Sequence, residues 1–163
     1  MLWVLFNFFM GVMCMVILSV DIGKARTGLA ICDKSMFLAS PLLVIDDRCR
    51  DNVLNKVANI ACEKQAQRIV VGLPKNMDGS EGDSAVSARE FAKLLSGLTD
   101  IPVVLYDERC TTMIAHRYLN DSNTRGKKRK QTIDAAAAAI ILQSYIDFLK
   151  NSNSNQEIKE AKT

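Results

Sequence analysis

The sequence predicts an α/β domain built on a mixed five-stranded sheet: a three-strand antiparallel meander plus two parallel strands, flanked by helices. Three observations carry this. Three β-branched runs near the N-terminus are joined by short polar turns, the pattern of a meander. Two later apolar runs each follow a segment of helical period, so they need crossovers and should run parallel to the first strand. Last comes a strongly apolar segment containing five consecutive alanines, Ala135–Ala139.

Val16–Ile22, VILSVDI, ends at Gly23 and reads as the first strand. Thr27–Asp33 and Phe37–Val44 read as the second and third. Val53, Leu54, Val57, Ile60 and Ala61 then fall on one face of a helix. Arg68–Gly72, RIVVG, is a short buried strand. Leu73–Asp83, LPKNMDGSEGD, has no apolar period and reads as a functional loop. Ala88, Phe91, Ala92 and Leu95 mark a second helix, with Gly97 as its C-cap. Pro102–Asp107 is the fifth strand. Thr111 or Thr112 can cap a helix running to about Asp121. Asn123–Lys130 reads as a basic loop, and Gln131–Leu149 as a helix that must pack closely on the sheet.

The chain has 163 residues, which suits one domain with a real core. A net charge of +3 permits a polyanionic partner without arguing for one. Cys14, Cys32, Cys49, Cys62 and Cys110 form no C-x-x-C pair, and His116, the one histidine, reads as structural or exposed. A zinc site is therefore not expected. The odd, scattered cysteine count reads as reduced thiols in a cytosolic protein.

Three carboxylates stand where chemistry could occur. Asp21 lies near the carboxyl end of the first strand, and Glu108 just past the last. Asp134 is expected in the first turn of the final helix, where the dipole favours a charged carboxylate. In an open α/β sheet, ligands bind outside the carboxyl ends of the strands. Carboxylates gathered there would repel unless cations lay between them, and all-oxygen ligands suit Mg²⁺ or Mn²⁺. Two such ions, about 3.5–4 Å apart, can activate water and stabilise the leaving oxygen in phosphodiester hydrolysis. Each acid can equally be a cap or a surface charge.

Four segments sharpen this reading. D-I-G-K-A-R-T-G-L-A at 21–30, G-L-P-K-N-M-D-G-S-E-G at 72–82, D-E-R-C-T-T at 107–112 and K-R-K-Q-T-I-D-A-A-A-A at 128–138 resemble, in order, the motifs of the YqgF (RuvX) family. The resemblance runs from about Met15 to Leu149. It implies an RNase H-like fold related to the RuvC Holliday junction resolvases, and a nuclease that processes the 5′ end of pre-16S rRNA. It further implies that Asp21, Glu108 and Asp134 form the catalytic, metal-binding set, which on the carboxylate chemistry above would hold two Mg²⁺ or Mn²⁺ ions. Asp107 is the weaker candidate: neighbours in an extended segment point to opposite faces, so Asp107 and Glu108 should not both face one metal, and the family motif points to Glu108. Cys110 stands where the family has an apolar residue, usually Leu, and is apolar enough to serve.

Arg26 sits in the turn beside Asp21 and can hold a phosphate or pair with an acid. Arg109 has the same two readings, with pairing at a helix start slightly favoured. Asn76, Asp78 and Ser80 can close over a substrate. Lys127, Lys128, Arg129 and Lys130 lead into the proposed metal site, where a nucleic-acid backbone would pass and be held through phosphates.

The implied partner is nucleic acid, either pre-rRNA or branched DNA, with no small-molecule cofactor and a monomeric or homodimeric chain. A Holliday junction resolvase would use the same carboxylates, and would need a dimer to cut two strands symmetrically. A non-catalytic nucleic-acid-binding module is disfavoured by retention of all three acids. An actin-like ATPase is set aside, because D-x-G-x-x-x-x-G at 21–28 has no second lobe to accompany it.

Met1–Val20 has no charged side chain, and 17 of its 20 residues are apolar. If the first strand claims Val16–Val20, fifteen residues remain. As helix they span about 22 Å, short of a roughly 30 Å hydrocarbon core. The expected organisation is therefore an N-terminal extension at 1–14, a nuclease domain at 15–150 and a flexible polar tail at 151–163, in a cytoplasmic protein. Met13 and Met15 are candidate true starts, and a membrane-tethered form is the lesser alternative.

Overall fold

The computed structural model describes residues 14–76, 78–107 and 127–160, with the backbone alone for 127–134 and 153–160. The expectations for Met1–Met13, for Glu108 and Arg109, and for a helix from Thr111 or Thr112 fall outside these residues.

The five strands are β1 (Ile17–Ile22), β2 (Thr27–Cys32), β3 (Ala39–Ile45), β4 (Arg68–Leu73) and β5 (Val103–Asp107). The described helices are α1 (Arg50–Glu63), α2 (Asp83–Ser96) and α3 (Lys127–Glu160). The sheet order is β3-β2-β1-β4-β5. β1–β2 and β2–β3 are antiparallel, while β1–β4 and β4–β5 are parallel. The expected meander with two added parallel strands is thus present, and the first strand is the central one.

Alternation along the strands divides the core into two layers. Leu18, Val20, Leu29, Ile69 and Val71 face α1 and α2, where they meet Val53, Leu54, Val57, Phe91 and Leu95. Ile17, Ala30, Cys32 and Val70 face α3, where they meet Ala138, Ile141, Leu142, Tyr145 and Ile146. The alanine run explains the second layer, because small side chains let the helix backbone come close to the sheet. Ser19 Oγ donates to the Ala138 carbonyl at 2.6 Å, and both residues are buried. Two turns further along the same helix, Arg68 donates to the Tyr145 hydroxyl at 3.0 Å. The helix therefore runs antiparallel to β1, with its N-terminal part at the carboxyl edge of the sheet.

Three local expectations are corrected. Lys127–Lys130 form the start of α3, not a loop, since Lys, Arg and Gln are good helix formers and no glycine or proline lies beyond Gly126. Asp134 is consequently the eighth residue of α3, past the first turn in which a helix dipole acts. The polar segment after Leu149 continues the helix to Glu160, because nothing in it breaks a helix. Smaller shifts occur at β3, which starts two residues later than the apolar run, and at β5, which begins after Pro102.

β3 is an edge strand. It carries Pro41, and its pairing with β2 slips at Leu29/Ala30 so that Leu42 has no partner in the register. No described helix is long and apolar enough to cross a membrane.

The closeness of α3 to β1 can be tested by overfilling it. Ala138→Leu should destabilise the chain by about 1–3 kcal/mol in urea unfolding, the usual cost of adding volume to a packed core.

Candidate active site

Parallel pairing brings the carboxyl ends of β1, β4 and β5 to one edge. Asp21 is the fifth of six residues in β1 and lies opposite Gly28 of β2. Two residues beyond Ser19, it belongs to the face of the sheet that α3 covers. Asp134 stands four residues before Ala138 in α3, hence one turn nearer the carboxyl edge on the same helix face. Asp107 ends β5 opposite Leu73. Its neighbour Tyr106 packs against the α3 layer, so Asp107 belongs to the opposite face from Asp21.

After β1 the chain turns tightly. Gly23 N–H donates to the Arg26 carbonyl at 2.9 Å. A Cβ at Gly23 would stand 2.7 Å from that oxygen, so the turn admits only glycine. Beyond the turn lies an open cleft of about 340 Å³. Asp21 and Lys24 line one side, Pro74 lies after β4, and Asp83, Ser84 and Ser87 come from the first turns of α2. Sequence reasoning passed over Lys24, Asp83, Ser84 and Ser87. The signal for Lys24 was available, since it occupies the glycine-bounded turn two residues after Ile22.

Arg26 is not among the residues that line that opening. Its Nε lies 3.6 Å from an Asp46 carboxylate oxygen, beside the Thr27–Ile45 register pair that brings β2 and β3 together. The pairing reading of Arg26 thus has one acid in Asp46.

The loop after β4 is knitted to itself. The Asn76 side-chain amide donates to Ser80 Oγ at 2.8 Å, and Gly79 N–H donates to the Asn76 carbonyl at 2.9 Å. Asp78 accepts from both the backbone N–H and the hydroxyl of Ser80. Gly79 has φ 87°, the left-handed region that glycine enters without strain. Glu81 then accepts two hydrogen bonds from Arg89 of α2, at 2.7 and 2.5 Å, with Lys75 at 3.3 Å. The Arg89 hydrogen bonds, with help from Lys75, pull the Glu81 carboxyl from 4.5 to about 2. Asn76 therefore shapes the loop, and Glu81 ties it to the helix that forms the far wall of the cleft.

Among the described residues, no three His, Cys, Asp or Glu side chains are grouped to hold a metal ion. The described part of the edge offers hard carboxylate oxygen, the donor type that Mg²⁺ and Mn²⁺ prefer.

Comparison with known proteins follows the same lines. A RuvX family model, described as Holliday junction resolvase, matches residues 15–148. A protein of Anaeromyxobacter sp. (strain Fw109-5) called "Putative pre-16S rRNA nuclease" is 43% identical over 130 residues, covering 80% of this chain and 95% of its own. One of the same description from Geobacillus sp. (strain WCH70) is 41% identical over 133 residues, covering 80% and 96%. Among solved structures, Thermus thermophilus RuvC in complex with a Holliday junction substrate superposes with a TM-score of 0.56 at 14% identity. That match covers 82% of this chain and 96% of the other. At this identity it speaks to the fold.

Glu81 supplies a pH signature. Its depressed pKa means that the ion pairs favour the folded loop fully above pH 4.5 and cease to do so as the pH falls toward 2. Glu81→Gln should therefore lower Tm at neutral pH, and the gap from the unaltered protein should narrow between pH 4.5 and 2. A gap independent of pH would refute this role.

Proposed function

The chain belongs to the RuvX family, and on that premise we propose that it is a metal-dependent nuclease that hydrolyses phosphodiester bonds in 5′-end processing of pre-16S rRNA. The observation that carries the reading is the position of Asp21. It stands at the carboxyl end of the central strand, on the wall of an open cleft, within the first of the four family motifs. The choice of rRNA as substrate is supported by the description shared by relatives at 43% and 41% identity.

Asp21, Glu108 and Asp134 are assigned as the catalytic, metal-binding set. Asp134 is favoured by its place one turn nearer the edge than Ala138, on the face that meets β1. Glu108 is preferred to Asp107 because Asp107 belongs to the opposite face of the sheet from Asp21. Mg²⁺ or Mn²⁺ held by these carboxylates would lower the pKa of bound water and neutralise charge on the phosphate. The chain's own part is to fix the carboxylates on rigid elements and to present cations to the polyanion. Lys127, Lys128, Arg129 and Lys130 open α3 at the same edge, where they can meet phosphates without reading sequence. Arg109 is kept as a phosphate contact on motif grounds. Arg26 and Asn76 have structural partners and serve the shape of the site first.

Three experiments test this. Purified protein should cleave precursor 16S rRNA with Mg²⁺ or Mn²⁺ and not with EDTA, in parallel with a four-way DNA junction as the competing substrate. Asp21→Asn should keep the fold and reduce cleavage by about a hundredfold or more, the scale on which one preorganised electrostatic group acts. Retained activity would remove Asp21 from the site. Replacing Lys127–Lys130 with Gln should weaken RNA binding and flatten its dependence on salt, by about 0.7 in log–log slope per lost contact to a single strand.

A further inference from the structure

The turn between β1 and β2 carries two cations, and the structure separates them. Arg26 is largely covered, with 20% of its side chain exposed, and is bound to Asp46. Lys24 is exposed and lines the cleft that Asp21 borders. Among the described residues Lys24 makes no ion pair or hydrogen bond, although Asp21 and Asp83 line the same cleft. The other cations around the loop are committed: Lys75 and Arg89 both bind Glu81. The turn that presents Lys24 is also stiff, because Gly23 closes on the Arg26 carbonyl with no room for a side chain.

From these observations we infer that Lys24 is a phosphate-contact residue, holding the backbone of the nucleic-acid strand as it enters the cleft beside Asp21. This rests on the nuclease reading above and extends it to a residue outside the carboxylate set. The chemistry is direct. Two carboxylates line the cleft, so an incoming phosphodiester is repelled unless a positive charge meets it there. A lysine on a flexible stem suits a phosphate, which it engages as a point charge without demanding one geometry. Rigid backbone below and a mobile ammonium above let one residue follow a strand of any sequence. Ser84 and Ser87, across the cleft on α2, complete the polar lining.

Lys24 therefore contributes binding that is the same in the ground state and in the transition state. It positions the strand and does not take part in the chemical step.

The test is RNA binding by the full chain in EDTA, with a fluorescein-labelled RNA carrying the 5′ leader of precursor 16S rRNA, across a salt series. Lys24→Gln should weaken binding and lower the log–log salt slope by about 0.7, the loss of one phosphate contact to a single strand. Lys64→Gln removes the same charge at the opposite edge of the sheet, where Lys64 pairs with Glu63, and should leave affinity and slope unchanged. In cleavage assays with Mg²⁺, Lys24→Gln should raise KM and leave kcat unchanged. An unchanged Tm would exclude a fold defect. If Lys24→Gln matches the unaltered protein in affinity and slope, the assignment is overturned and the nuclease reading stands. If the unaltered protein does not bind the RNA, both fall together.

Discussion

The close approach of α3 to the central strand is the constraint from which the rest of the edge is measured. A helix can lie this near a sheet only where its side chains are small, and Ala135–Ala139 supply them. The hydrogen bond from Ser19 to the Ala138 carbonyl then sets the helix at one height along β1. Moving two residues along the strand reaches Asp21, and moving one turn back along the helix reaches Asp134. A larger residue in the alanine run would push the helix out, and a slip of one turn would part the two acids by about 5 Å. The pairing of strand and helix is thus also the ruler of the proposed site.

Electrostatics at that edge divides cations into those that build and those that remain available. Arg89, Lys75 and Arg26 are held by carboxylates and set the shape of the loop and of the turn. Such surface pairs add only modestly to global stability. Their value is positional, because Glu81 anchors the self-bonded loop to α2, and α2 forms a wall of the cleft. A site that must admit a polyanion beside carboxylates needs both kinds of cation, and the sequence does not distinguish them by type.

Much of the fold was legible because period and alternation are local signals. All five strands, both periodic helices and the direction of every strand pair follow from apolar spacing and connection length. The failures cluster where context overrides those signals. Lys127–Lys130 read as a loop because a charge run has no apolar period, yet its residues favour helix. That single misplacement put Asp134 in the wrong turn and removed the helix-dipole argument for its charge. Arg26 drew notice as the arginine nearest Asp21, whereas Lys24 is the cation that lines the cleft. Side-chain direction in a four-residue turn depends on the register of β2 against β3, which brings Asp46 to Arg26 and which no local pattern encodes. Asp21 falls near the carboxyl end of the first strand, as expected, because that position needs only the end of a strand to be read.

The edge strand β3 carries one more consequence. An unpaired strand edge is a template for further strands, and β3 also exposes Leu43. Pro41 takes a hydrogen-bond donor out of the strand, and the extra residue at Leu42 breaks its even spacing against β2. A second chain approaching β3 therefore meets an edge that cannot propagate a regular ladder. While the protein is folded, this guards the meander that supports Asp21 against sheet-to-sheet aggregation.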